Sequence, residues 1–190
     1  MQTQSRTIDT EQPLLTPIPP AGQEDRVEAV FARVRERLGF VPDGLRLYSF
    51  SPPLLEAFVT NIGYFRDGTG LPPALTTFIR YLVSSDAGCR FCIDLNEGFL
   101  AHLGVDLDAA RAARADVEAA PLEPRERLLL KLALKSVEAP QDIGSDDLEA
   151  VRAHGWSERD IFDAVVQAAS NRAFNFVLRS FKVERQGVFA

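Results

Sequence analysis

The chemistry-bearing residues of this 190-residue chain are few, and two of them stand together. Cys89 and Cys92 are its only cysteines, and they lie in Cys-x-x-Cys spacing within SSDAGCRFCIDLNEGFLAHLG, residues 84 to 104. Two cysteines scattered at random over such a chain would fall three apart in roughly 1% of cases, so the spacing is informative. A close pair of thiols can cycle between dithiol and disulfide, contribute half of a metal site, or pack as two small apolar groups. A zinc site needs four ligands, and beyond the cysteines only His102 and His154 are soft donors, without a second paired motif. No metal and no cofactor is therefore expected. Trp156 reads as a packing anchor, and His102 as a residue near a helix end.

The element that must carry the thiols is a helix. Cys92, Leu95, Phe99 and Leu103 recur at helical spacing, and Ser84, Ser85, Asp86 and Gly88 form a turn before them. A helix starting near Cys89 sets both sulfurs in its first turn. There the unpaired backbone N–H groups and the positive end of the dipole favour thiolate, the reactive form.

The same periodicity runs through most of the chain. Val27, Val30, Phe31, Val34 and Leu38 mark one helix that Gly39 can stop. Residues 43–50 fit a short one. Ser51-Pro52-Pro53 opens the next as a capping serine with prolines, and Leu54, Leu55, Phe58, Ile62 and Phe65 form its apolar positions. Residues 67–70 read as a loop. Pro72-Pro73 opens a helix with Leu75, Phe78, Ile79, Leu82 and Val83 on its stripe. A polar, alanine-rich helix follows near residues 107–118. Residues 125–137 are apolar nearly all round and should be central to the core. Ser145 is expected to cap a short helix, and Ser157-x-x-Asp160 a long final one. In that last helix Ile161, Val165, Ala169 and Ala173, with Phe162, Val166 and Phe176, give two faces expected to be buried. No run alternates with period two. The expectation is an all-α bundle of about eight helices over residues 24–190, preceded by an extended proline-rich arm over residues 1–23. A thioredoxin-like Cys-x-x-Cys would instead follow a βαβ pattern.

Composition narrows the function classes. Hydrophobic residues make up 46% and charged residues 25%, with a net charge of −6, which offers nucleic acid no electrostatic footprint. No apolar run approaches the ~20 residues that span a bilayer. The N-terminus lacks a signal-peptide core, so the cytoplasm is the expected compartment. In that compartment a redox-active dithiol is a better reading than a structural disulfide.

The chain resembles the AhpD-like, or carboxymuconolactone decarboxylase-like, superfamily, and within it the peroxidase-related group. The likeness runs from about Glu24 to Glu184. It is carried by RVRERLGFVPDGLRLYSFSPPLLEAF, LPPALTTFIRYLVSSDAGCRFC, VRAHGWSERDIFDAV, and a closing segment with Asn175 and Lys182-Val183-Glu184. The resemblance implies an all-α fold, a homo-oligomer, and reduction of a small hydroperoxide by the cysteine pair. Cys92 would attack the peroxide, Cys89 would resolve the product, and an external dithiol would restore the pair. It also implies a proton relay of a glutamate twelve residues before the first cysteine and a histidine four after the second. Those positions here are Thr77 and Asn96, which hydrogen-bond but do not titrate near neutral pH. A weakened peroxidase, or a helical oligomer that has lost the activity or changed it, is the implied outcome. Glu97 could stand in for the missing base only with its helix displaced, and Asp94 should point elsewhere.

Overall fold

The protein, a computed structural model, is described over residues 12–189. Within them nine α-helices follow one another with no strand: α1 Glu24–Leu38, α2 Asp43–Leu47, α3 Pro52–Gly63, α4 Pro73–Asp86, α5 Arg90–His102, α6 Leu107–Ala112, α7 Pro124–Glu138, α8 Ser145–Ala153 and α9 Glu158–Ser180. The all-α class stands, with one helix more than expected. None of these helices is long and apolar enough to cross a membrane.

Helices α4, α7 and α9 pack against one another at the centre, and α5 packs along α4. The main core joins Leu75, Phe78, Ile79 and Leu82 of α4 to Leu129, Leu130, Leu132 and Ala133 of α7. The expected near-continuous apolarity of α7 fits that central place. Trp156 anchors the turn before α9: its indole N–H donates to the Arg125 carbonyl at 2.9 Å, and the Arg125 guanidinium lies over its ring. A second cluster holds α1 to α2 and α3 through Val27, Val30, Val34, Leu45 and Leu55.

Several expectations are corrected. The helix expected to reach residue 118 stops at Ala112, and a single 3-10 turn, Val117–Ala119, follows. Residues 67–70 are not simply a loop, since a π-helical turn spans Tyr64–Gly68. Ser51 occupies the cap position of α3 without a side-chain cap bond, and Ser145 is the first residue of α8, whose cap is Gly144. Leu54 and Ile62 of α3 are exposed.

The largest correction falls on α9. Its capping box forms as expected, but Phe162 and Phe176 are 65% and 54% exposed, and Ala169 and Ala173 face outward too. The buried face carries Ile161, Ala164, Ala168 and Leu178 together with Asp163, Gln167, Asn171 and Asn175. The four polar residues recur every fourth position, so they form one ladder along the buried face of the helix, where Asp163 accepts from Tyr64 and Thr69 while Asn171 and Asn175 reach Ser84 of α4.

The proline-rich segment runs without helix over residues 12–20 and is tied to the body where Leu14 N–H meets the Phe181 carbonyl at 3.0 Å. Residues 1–11 of the arm and residue 190 lie outside the described residues.

Candidate active site

The turn between α4 and α5 sets the position of the dithiol. Gly88 has φ +66°, a conformation that side chains resist, and it lets the chain reverse directly after α4. Cys89 N–H then bonds back to the Ser84 carbonyl at 3.0 Å, and Cys89 becomes the N-cap of α5. Cys92 lies three positions into that first turn. Both cysteines are free, and their sulfurs are 2.8 Å apart.

Two thiols this close share one charge between them. Cys89 is held below the ordinary thiol range, first by its hydrogen bond with the Cys92 thiol. The backbone N–H of Cys92 adds to this, while burial and the nearby Glu184 oppose it. Cys92 is pushed up by the same hydrogen bond, then by burial, then by repulsion from a charged Cys89. Of the pair, Cys89 is therefore the one that favours the thiolate and Cys92 the one that favours the thiol. Asn175 favours the thiolate on both sulfurs, and Ser84 favours it on Cys92. These two residues are themselves fixed by the α9 ladder. The Asn175 amide donates to the Ser84 hydroxyl at 3.1 Å, and the Asn171 amide reaches Ser84, the Asn175 side-chain carbonyl and the Arg80 backbone carbonyl.

Thr77 and Asn96 are buried, and one residue brings them together. The Arg80 guanidinium donates from Nε to Asn96 Oδ1 and from an Nη to Thr77 Oγ1, each at 3.0 Å. Asn96 in turn donates to the Cys92 carbonyl at 2.8 Å, and Thr77 to the Pro73 carbonyl. Sequence reasoning missed Arg80. Its only signal is its place one helical turn after Thr77, facing Asn96 across the α4–α5 contact. Ser84, Asn171 and Gln167 were missed as well. The ladder spacing on α9 could have revealed the latter two. Gln167 is buried and its Oε1 has no partner. Glu97 is engaged elsewhere: it accepts from Tyr81 Oη at 2.8 Å and pairs with Arg111, which holds its carboxyl below the usual range. His102 and His154 are exposed, and among the described residues no group of three or more His, Cys, Asp or Glu could hold a metal.

The dithiol is closed off from solvent, Cys89 at 0% exposure and Cys92 at 2%. Leu47, Leu178 and Val183 pack with it, and Phe174, Phe181, Val188 and Phe189 lie around that cluster. The C-terminal strap among these, residues 183–189, is clasped by buried Asp43. Its carboxylate accepts the Val188 N–H at 2.7 Å, while Gln186 accepts the Asp43 N–H at 2.9 Å and donates to the Val41 carbonyl. A cavity of about 820 Å³ lies between the N-terminal segment, α1 and residues 185–189, and its lining includes neither cysteine.

A helical frame with a Cys-x-x-Cys cap at the junction of two central helices is the AhpD-like fold, the fold of peroxidase-related proteins. Over 93% of its length the chain is 26% identical to an uncharacterized peroxidase-related protein from Silicibacter sp. TM1040, covering 93% of that chain with a TM-score of 0.81. An AhpD-core peroxidase-related protein from Ralstonia eutropha JMP134 is 23% identical over 94% of this chain and 96% of its own, with a TM-score of 0.79. The debrominase Bmp8 has the same fold at 21% identity and a TM-score of 0.74, over 92% and 93% of the two chains. No family model and no curated protein matches the sequence.

Proposed function

We propose that the protein is a thiol-dependent hydroperoxide reductase. The observation that carries this reading is the free Cys89–Cys92 pair, 2.8 Å apart in the first turn of α5, with Cys89 the more acidic of the two. Following the resemblance, Cys92 attacks and Cys89 resolves. Cys89 is the more acidic thiol, so in its ionised form it is also the base. It takes the Cys92 proton as the Cys92 sulfur displaces alkoxide from the O–O bond, and returns that proton to the alkoxide. Cys92 is then a sulfenic acid and Cys89 a thiolate again. Cys89 attacks the Cys92 sulfur, a disulfide forms, and hydroxide leaves. An external dithiol restores the pair by exchange.

This internal base substitutes for the relay that Thr77 and Asn96 cannot provide. A full relay typically contributes ~10²–10⁴-fold, so slow turnover is expected. The test is thiol count and mass before and after one equivalent of peroxide. Loss of both thiols with the mass of a disulfide supports the reading, and two unmodified thiols overturn it. Cys89→Ser removes the base as well as the resolver, so it should slow the first step and then stop Cys92 at sulfenic acid or let it over-oxidise. If only Cys92→Ser traps a sulfenic acid, the roles are exchanged.

The untitratable pair Thr77 and Asn96 favours a second reading, a differently catalytic relative. The dithiol would then reduce a brominated ring: its two electrons and the remaining thiol proton turn C–Br into C–H, bromide leaves unprotonated, and the pair closes to the disulfide. Bromide release without peroxide turnover would select it. For assembly, the outward stripe Phe162, Val165, Ala169, Ala173 and Phe176 supports a homo-oligomer with α9 in the interface. Sedimentation showing only monomer would overturn that.

A further inference from the structure

Arg80 is the one feature of the site that neither the dithiol chemistry nor the resemblance uses. Its guanidinium is anchored to Thr77 and Asn96, both neutral, and no carboxylate among the described residues pairs with it. Burial pushes it down to about 10, and no acid compensates, yet it remains fully charged near neutral pH. Two of its nitrogens are committed to protein. The remaining donors of the fork have no protein partner and are not sealed inside, since the side chain is only half-buried. A partly desolvated, unpaired cation with free donors is a demand for an anion.

Its surroundings define what else that anion carries. The guanidinium lies 6.0 Å from the centre of the Phe99 ring. Leu95 and Phe99 are half-buried and Leu103 is exposed, and all three share the face of α5 that carries Cys92 and Asn96. Asn96 follows Cys92 by four residues, about 6 Å along α5, so the cation bonded to Asn96 stands roughly one turn from Cys92. A charged anchor beside an apolar rim, one turn from the dithiol, is complementary to a small amphipathic molecule.

We propose that Arg80 binds the carboxylate of an apolar, acid-bearing substrate and so holds its reducible group close to Cys92, to react when the cover over the dithiol is displaced. The inference rests on the dithiol reading for the chemistry but not for the binding. Arg80 stays out of the redox step: the substrate hydroperoxide becomes the alcohol, the dithiol becomes the disulfide, and the carboxylate is unchanged. Thr77 and Asn96 act here as positioning residues that aim the fork.

Two assays on the reduced full chain separate binding from turnover. Calorimetry at pH 7 compares 4-(2-hydroxypropan-2-yl)benzoate, the unreactive alcohol, with its methyl ester. The acid should bind at least tenfold more tightly. Arg80→Gln should bring the acid down to the ester, while Arg80→Lys should keep part of the preference, as a point charge without the fork. Turnover of the matching hydroperoxides should show the same preference as a lower KM for the acid, with kcat little changed. Equal binding of acid and ester to the wild type, or no binding of either, overturns the proposal, and this arm needs no variant. A circular dichroism melt confirms that Arg80→Gln is folded, and a folded variant that keeps the acid preference overturns it too. Acid-selective binding without turnover of either peroxide leaves Arg80 as the anchor and removes the peroxidase reading. Turnover of both at equal KM does the reverse.

Discussion

Helices α7 and α9 pack against each other at the centre of the molecule, yet they bury opposite kinds of surface. α7 turns Leu129, Leu130, Leu132, Ala133 and Leu134 inward. α9 turns inward a ladder of Asp163, Gln167, Asn171 and Asn175 and leaves Phe162 and Phe176 outside. The buried residues of α7 are all apolar. α9 spends part of its interior on hydrogen bonds that hold Ser84 and tune two sulfurs, and it keeps an apolar outer face. Buried amides cost stability unless every group is paired, so they persist where they do something that leucine cannot.

Substitutions can break this comparison. The largest effect is expected on α7: Leu130→Ala should cost about 2–5 kcal/mol in denaturant unfolding, the usual range for a fully buried leucine. The pH profile of dithiol alkylation should not move. On α9, Asn175→Ala should cost about 1–3 kcal/mol, because it removes the buried hydrogen bonds that Asn175 makes to Ser84 and Asn171. It should also move that profile to higher pH, since Asn175 favours the thiolate on both cysteines. Lower stability with an unmoved profile would reduce α9 to the same role as α7.

A third substitution sharpens the contrast at the other end of the site. Thr77→Glu with Asn96→His should raise peroxide turnover at least tenfold. It should fall short of a free relay, because Arg80 already stands at hydrogen-bond distance from position 77 and would pair with the new carboxylate. The same pairing should let the fold tolerate the change, read by a thermal melt. The smallest effect on unfolding is expected outside: Phe162→Ser with Phe176→Ser should change protomer stability by no more than about 0.5 kcal/mol. Sedimentation should nevertheless show weaker self-association.

The contrast also explains what the sequence made legible. The cysteine spacing, the helix beneath it and the apolar wealth of α7 are local signals, and they were readable. Helical periodicity in α9 was equally clear, but its inward face was assigned by counting apolar residues. That rule fails where buried positions are amides and exposed ones are phenylalanines. Thr77 and Asn96 were found through the resemblance. Arg80, which joins them, gives no signal beyond its spacing from Thr77, because an arginine on a helix usually reads as a solvated charge. The clasp between Asp43 and the strap is a contact across 145 positions, beyond any local pattern.

That clasp has a kinetic consequence. With both sulfurs covered, a reagent meets them only in the fraction of molecules whose cover is displaced. An observed second-order rate is then the opening constant multiplied by the rate of the bare thiolate. Each ~1.4 kcal/mol in the Asp43 clasp shifts every such rate about tenfold, for peroxide and alkylating agent alike. Slow labelling of the folded protein therefore reports on the cover, and only the ratio of two reagents of similar size reports on the sulfur. Asp43→Ala should raise both rates together and leave their ratio unchanged. The acidity of the pair is set on α5 and tuned by Asn175 from α9, and the pace at which it is expressed is set by a carboxylate on α2.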